Sequence, residues 1–146
     1  MPCLLSCLLL CLLLPAGCSS DLPALSESDA VACAELTAAL PDRVAGEHIS
    51  DVTDRTASWG DIELTCGVEL PAAYDDFASC SVVGDVGWFL PPAELNDPSA
   101  DIGAIALPYS PRVSVLIPAG HRGSDEVLAA IAPAITETLT EGDPCL

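Results

Sequence analysis

"DIELTCGVEL", residues 61–70, is the stretch that decides the fold. Ile62, Leu64, Cys66, Val68 and Leu70 alternate with Asp61, Glu63, Thr65, Gly67 and Glu69. Successive side chains of an extended chain point to opposite faces, so this pattern makes one apolar face and one wet face. It predicts a strand of an antiparallel sheet with one face buried, ended by Pro71. Cys66 falls on the buried face.

Downstream, the loop "PAAYDDFAS" (71–79) leads to a second strand from Cys80 to Leu90, with Cys80, Val82, Val86 and Trp88 on one face. "PPAELNDPSAD" (91–101) reads as a loop, and residues 102–107 and 112–117 as two more strands joined by "PYSP". Upstream, residues 41–58 are polar and irregular. Before them, Ala32, Cys33, Leu36, Ala39 and Leu40 recur at helical spacing. Ser26 with Asp29 forms a capping-box-like start, and Pro41 disfavours continuation. Near the C-terminus Leu128, Ile131, Ile135 and Leu139 form the stripe of another helix. Ser124 is its expected N-cap, Asp125 and Glu126 suit the helix dipole, and Pro133 should kink or split it. Helix, strands, helix predicts one α+β domain over residues 29–146. It should have a small antiparallel sheet of about four strands, with both helices packed on it and disulfides bracing it.

Four of the eight cysteines lie in that domain: Cys33, Cys66, Cys80 and Cys145. An even count in an exported domain points to two disulfides. No pair has CxxC spacing, and His48 and His121 are remote from the cysteines in sequence, which argues against zinc. No metal or other cofactor is expected. If residues 61–70 and 80–90 form a hairpin, Cys66 and Cys80 lie about four residues apart along the ladder, roughly 13 Å. A disulfide does not span that distance. The expected pairs are therefore Cys33–Cys66 and Cys80–Cys145.

Residues 3–14 contain only Leu, Cys and one Ser. The run is too short to span a bilayer, which takes roughly 20 apolar residues, but it suits the core of a signal peptide. Ala16-Gly17-Cys18 then resembles the end of a lipobox, whose cysteine sulfur receives a diacylglyceryl group as the leader is cut before it. Pro15 stands where that signal usually has Leu, and no Lys or Arg precedes Cys18. Residues 1–17 are thus expected to be a lipoprotein signal peptide, and 18–28 a lipidated Cys18 with a flexible Ser-rich tether. Ordinary secretion and an uncleaved anchor are the alternatives. Two acyl chains attach stably where one is marginal, since each buried CH₂ contributes about 0.8 kcal/mol. The expected location is the outer face of the cytoplasmic membrane, or the exterior if Cys18 is unmodified.

The chain has 22 acidic residues against four basic ones, all arginine, for a formal charge of −18. Such a surface repels phosphate backbones and offers no polybasic patch to anionic lipids, which excludes nucleic-acid binding. Asp51/Asp54, Asp75-Asp76 and Asp97/Asp101 lack the order of an EF-hand loop. Ser110, Ser114 and Ser124 lack a Gly-x-Ser-x-Gly elbow, and no Gly-rich phosphate cradle is present. No catalytic residue is assigned. In a chain with 4% aromatic residues, Trp59 and Trp88 are read as structural core anchors rather than a ligand shelf.

"CAELTAALP" (33–41), "WGDIELTCGV" (59–68), "VVGDVGW" (82–88) and "PRVSVLIP" (111–118), in that order and spacing, resemble the actinobacterial domain-of-unknown-function family 3515. Thr65 departs from the family's Arg before the cysteine, Pro108-Tyr109 replace a Gly-Arg step, and the segment between Gly60 and Ile62 is short. The resemblance implies an exported, membrane-associated envelope protein and carries no activity with it. The combined expectation is a lipoprotein with a binding or structural role. Its partners would be the membrane, through the lipid anchor, and an envelope protein or cell-wall material. The alternative is an envelope enzyme acting on a wall polymer through loop carboxylates.

Overall fold

In the computed structural model, which describes residues 22–121 and 125–144, the alternating stretch is a strand over Ile62–Cys66 with Ile62, Leu64 and Cys66 buried. It stops short of Pro71. Gly67 turns to φ 76°, a left-handed conformation that glycine adopts without strain, and Leu70 is left exposed.

The elements in chain order begin with α1 (Glu27–Ala39), β1 (Arg43–Val44), β2 (Glu47–Val52), β3 (Thr56–Trp59) and β4 (Ile62–Cys66). There follow β5 (Ser81–Val83), β6 (Val86–Phe89), α2 (Pro92–Asn96), β7 (Ile102–Ala106), β8 (Tyr109–Ser110) and β9 (Val113–Ile117). A 3-10 turn (Ala119–His121), α3 (Asp125–Thr138) and β10 (Thr140–Glu141) complete the described chain. The main sheet has eight strands in the order β1-β2-β3-β4-β9-β7-β6-β5, and β10 pairs with β8 apart from it. Every pairing is antiparallel.

The α+β class, the antiparallel sheet and a helix at each end are as expected, but the strand count of four is corrected to eight. The polar segment 41–58 holds β1, β2 and β3. On β2 all positions but one are exposed, so no apolar alternation marks it as a strand. The expected strand over residues 80–90 is two strands. Gly84 and Asp85, at φ 61° and 65°, form a two-residue turn between Val83 and Val86, the geometry that suits the twist of a tight hairpin. This hairpin does not pair with β4, whose neighbours are β3 and β9. The register assumed for Cys66 and Cys80 is therefore wrong. Residues 91–101, expected as a loop, contain α2, which Pro92 opens with its preset φ.

Both long helices contribute to the core on one face of the sheet. Trp88, Ala106, Val113 and Cys66 stand side by side across four strands, all buried. Leu36 of α1 and Leu128, Ile131 and Ile135 of α3 belong to the same cluster. Fully burying one such aliphatic side chain is worth about 1.5–3 kcal/mol. The Cys33–Cys66 disulfide joins α1 to β4, with 5.6 Å between the Cα atoms. Trp59 and Trp88 are fully buried, and their indole N–H groups donate to the carbonyls of Pro41 (2.9 Å) and Val83 (3.2 Å). They are core anchors. A Cβ at Gly84 would lie 2.5 Å from Ala132 Cβ, so the hairpin turn sits directly on α3.

Pro133 does not split α3, which continues through it to Thr138. The missing N–H falls on the exposed side, because Pro133 and Ala129 both face solvent. At the other end, the Ser26 side chain accepts from the Asp29 N–H (3.1 Å) and starts α1. Residues 22–28, expected as tether, pack on the domain. Leu25 lies against the core, and Arg55 donates to the Pro23 carbonyl (3.0 Å). Cys80 is disulfide-bonded. Cys145 (its expected partner), Cys18 and the expected cap Ser124 lie outside the described residues.

Candidate functional site

The second face of the sheet is built differently. Phe89, Ile105, Ser114, Thr65 and Thr56 form one row across it. At the β6–β7 end the row is apolar and covered, with Phe89 and Ile105 buried. Glu94 of α2 accepts a hydrogen bond from the Gly103 N–H (2.7 Å), which holds α2 over β7. Tyr74, in the loop 71–79, meets Phe89 edge-on with ring centroids 5.5 Å apart. Toward β3 and β4 the row turns to threonine and serine.

The loop 71–79 divides the covered part into two clefts. Asp75 accepts from the Phe77 N–H (2.8 Å), and the Ala78 N–H donates to the Asp75 carbonyl (2.9 Å). This tight turn leaves the Phe77 ring 97% exposed. On one side is a cleft of about 380 Å³ that includes Phe77, Phe89, Leu90 and Leu95. On the other is a cleft of about 310 Å³ that includes Leu70, Tyr74, Ala78, Leu107 and Arg112, with Asp76 and Asp143. Asp143 arrives there because the C-terminal chain doubles back. Thr140 and Glu141 pair with Ser110 and Tyr109, and the Gly142 N–H donates to the Pro108 carbonyl (2.6 Å). Burial pushes the Tyr109 phenol above its ordinary pKa, and the charges of Glu141 and Asp85 add to this.

Arg112 is the unusual group. Its carbonyl accepts from the Gly67 and Val68 N–H groups (2.7 and 3.1 Å), which fixes its backbone beside β4. Its side chain is part-buried, and the Nε is sealed from solvent with no hydrogen-bond partner among the described residues. Leaving a buried donor unsatisfied costs about 1–3 kcal/mol, more when the group is charged. Arg55 is its opposite. Arg55 donates to the Cys66 carbonyl (3.1 Å), the Gly67 carbonyl (2.9 Å) and the Pro23 carbonyl (3.0 Å), and so serves the fold. Arg43 contacts His48 and the Gly46 carbonyl.

The carboxylates considered from sequence are mostly engaged in turns or dispersed. Asp97 accepts from the Ser99 N–H and hydroxyl, and Asp101 from the Ala119 N–H. Asp51 and Asp54 are exposed at β2 and just beyond it. His121 lies 3.2 Å from Asp61 at the surface. Among the described residues, no group of three or more His, Cys, Asp or Glu side chains is placed to hold a metal ion. Arg112 was not among the sequence candidates. It stands at the start of the expected strand 112–117, and nothing local signals that Tyr74, Leu107 and the C-terminal turn converge on it.

The molecule is thus a disulfide-stapled α+β domain whose sheet is sealed by helices on one face and carries two clefts on the other. It belongs to the family described as Protein of unknown function (DUF3515), whose model it matches over residues 18–144. No curated protein and no solved structure matches the chain significantly.

Proposed function

We propose that the chain is an exported lipoprotein, held through Cys18 at the outer face of the cytoplasmic membrane, and that its domain binds rather than reacts. The observation that carries this reading is the disulfide chemistry. Cys33 is joined to Cys66, and Cys80 is also bonded. Such bonds form and persist in oxidising compartments outside the cytoplasm. Cys18 follows a small pair at the edge of an apolar run. Among the described residues, no helix is long and apolar enough to cross a membrane.

The packing of residues 22–28 gives the tether a length. Arg55 holds the Pro23 carbonyl, and the few residues back to Cys18 reach at most about 18 Å when extended. A domain on so short a leash stays close to the lipid surface and presents its clefts to whatever lies there. The alternative, a wall-polymer enzyme using loop carboxylates, has less support, because Asp75, Asp97 and Asp101 are engaged with backbone N–H groups. Acyl labelling of the wild type and Cys18→Ala tests the anchor. Label and membrane retention should both be lost in the variant. Equal labelling of the two ends the reading.

A further inference from the structure

We infer that the cleft beside Arg112 binds a small zwitterion, a compound carrying one carboxylate and one ammonium group. The inference rests on the binding role proposed above and names its ligand. Arg112 has a fixed backbone and, among the described residues, a sealed Nε with no acceptor. A carboxylate in the cleft would meet the guanidinium through the atoms that line it rather than through the sealed Nε, with charge-assisted hydrogen bonds to a side chain that has no acceptor among the described residues. Tyr74, Leu70 and Leu107 line the same cleft and offer apolar contact to the carbon atoms of a ligand.

A carboxylate alone does not fit the rest of the cleft. Asp76 and Asp143 line it too, both exposed, and among the described residues neither forms an ion pair with Arg112. Among the described residues the cleft thus carries one cation and two carboxylates without ion-pair partners, an arrangement that suits a ligand with both charges. The whole-molecule charge of −18 points the same way. A simple anion approaches against that field, whereas a ligand of zero net charge does not. The volume of about 310 Å³ is at the lower end for small-molecule sites, the size of an amino acid or a dipeptide.

Titration calorimetry on the full chain in detergent tests this, with alanine and alanylalanine as probes and propionate and ethylamine as single-charge controls. The expected result is one-to-one binding of a zwitterion at least ten-fold tighter than either control. Arg112→Gln should weaken that binding ten-fold or more while leaving the melting temperature unchanged or higher, since no protein acceptor is lost. Asp76→Asn with Asp143→Asn should weaken the zwitterion and leave propionate unweakened or tighter, because two charges that repel it are gone. Three results would each overturn the inference: propionate binding as tightly as alanine, no binding of either zwitterion, or unchanged affinity in Arg112→Gln. Acyl labelling does not involve Arg112, so the anchor stands or falls separately. With any of those three results, retention of cell-wall material by the full chain would still leave the binding role intact.

Discussion

The two faces of the sheet answer to different demands. On the helix side, Cys66, Val113, Ala106 and Trp88 form an unbroken buried row, and each polar atom of the two tryptophans has a partner. On the other side the cover is a loop and a helix of five residues, Phe77 stands in solvent, and Arg112 Nε has no acceptor among the described residues. The first face is satisfied in every term that folding requires. The second is left open and under-satisfied, which a stability argument alone does not explain. Open, under-satisfied surface on a rigid support is where binding is built.

Stability measurements test that contrast. The largest loss is expected from Cys33→Ala with Cys66→Ala. The bond closes a sequence separation of 33 residues, and its removal frees the unfolded chain at a cost of about 3–4 kcal/mol, read by urea denaturation. Arg55→Met comes next, at about 2 kcal/mol, because it strips the hydrogen bonds to the carbonyls of Cys66, Gly67 and Pro23. It should also speed amide exchange around Leu25, whose side chain meets Gly67 closely. Phe77→Ser should change stability by less than about 0.5 kcal/mol, since the ring buries almost nothing. If Phe77→Ser cost as much as Arg55→Met, the open face would be part of the fold and the contrast would collapse.

The legible parts of the fold were those where burial is periodic. Ile62, Leu64 and Cys66, then Val113, Val115 and Ile117, are written into the sequence as alternation, and both strands are where that pattern puts them. The stripe Leu128, Ile131, Ile135 and Leu139 is likewise buried in full. What escaped was structure whose side chains carry no such record. β2 is wet on nearly all its length, and its hydrogen bonds come from β1 and β3 rather than from an apolar face. The turn at Gly84-Asp85 interrupts a run that looked like one strand, because Val82, Val86 and Trp88 keep the same parity on either side of it. The site was the least legible. Arg55 and Arg112 are the same residue type beside similar β strands, yet one donates to three carbonyls and the other has a sealed Nε with no acceptor among the described residues.

Residue spacing alone was enough for the class of the domain, its apolar face, its two terminal helices and the family to which it belongs. These follow from spacing, and spacing is local. It also marked Cys18 as different from the cysteines of the domain. Only the tertiary structure decided the eight-stranded order, the neighbours of β4 and the convergence of Tyr74, Leu107, Arg112 and Asp143 on one cleft. Those depend on which distant strands pair and where the chain doubles back. That choice is made by the summed burial of the whole domain, and no single stretch of residues records it.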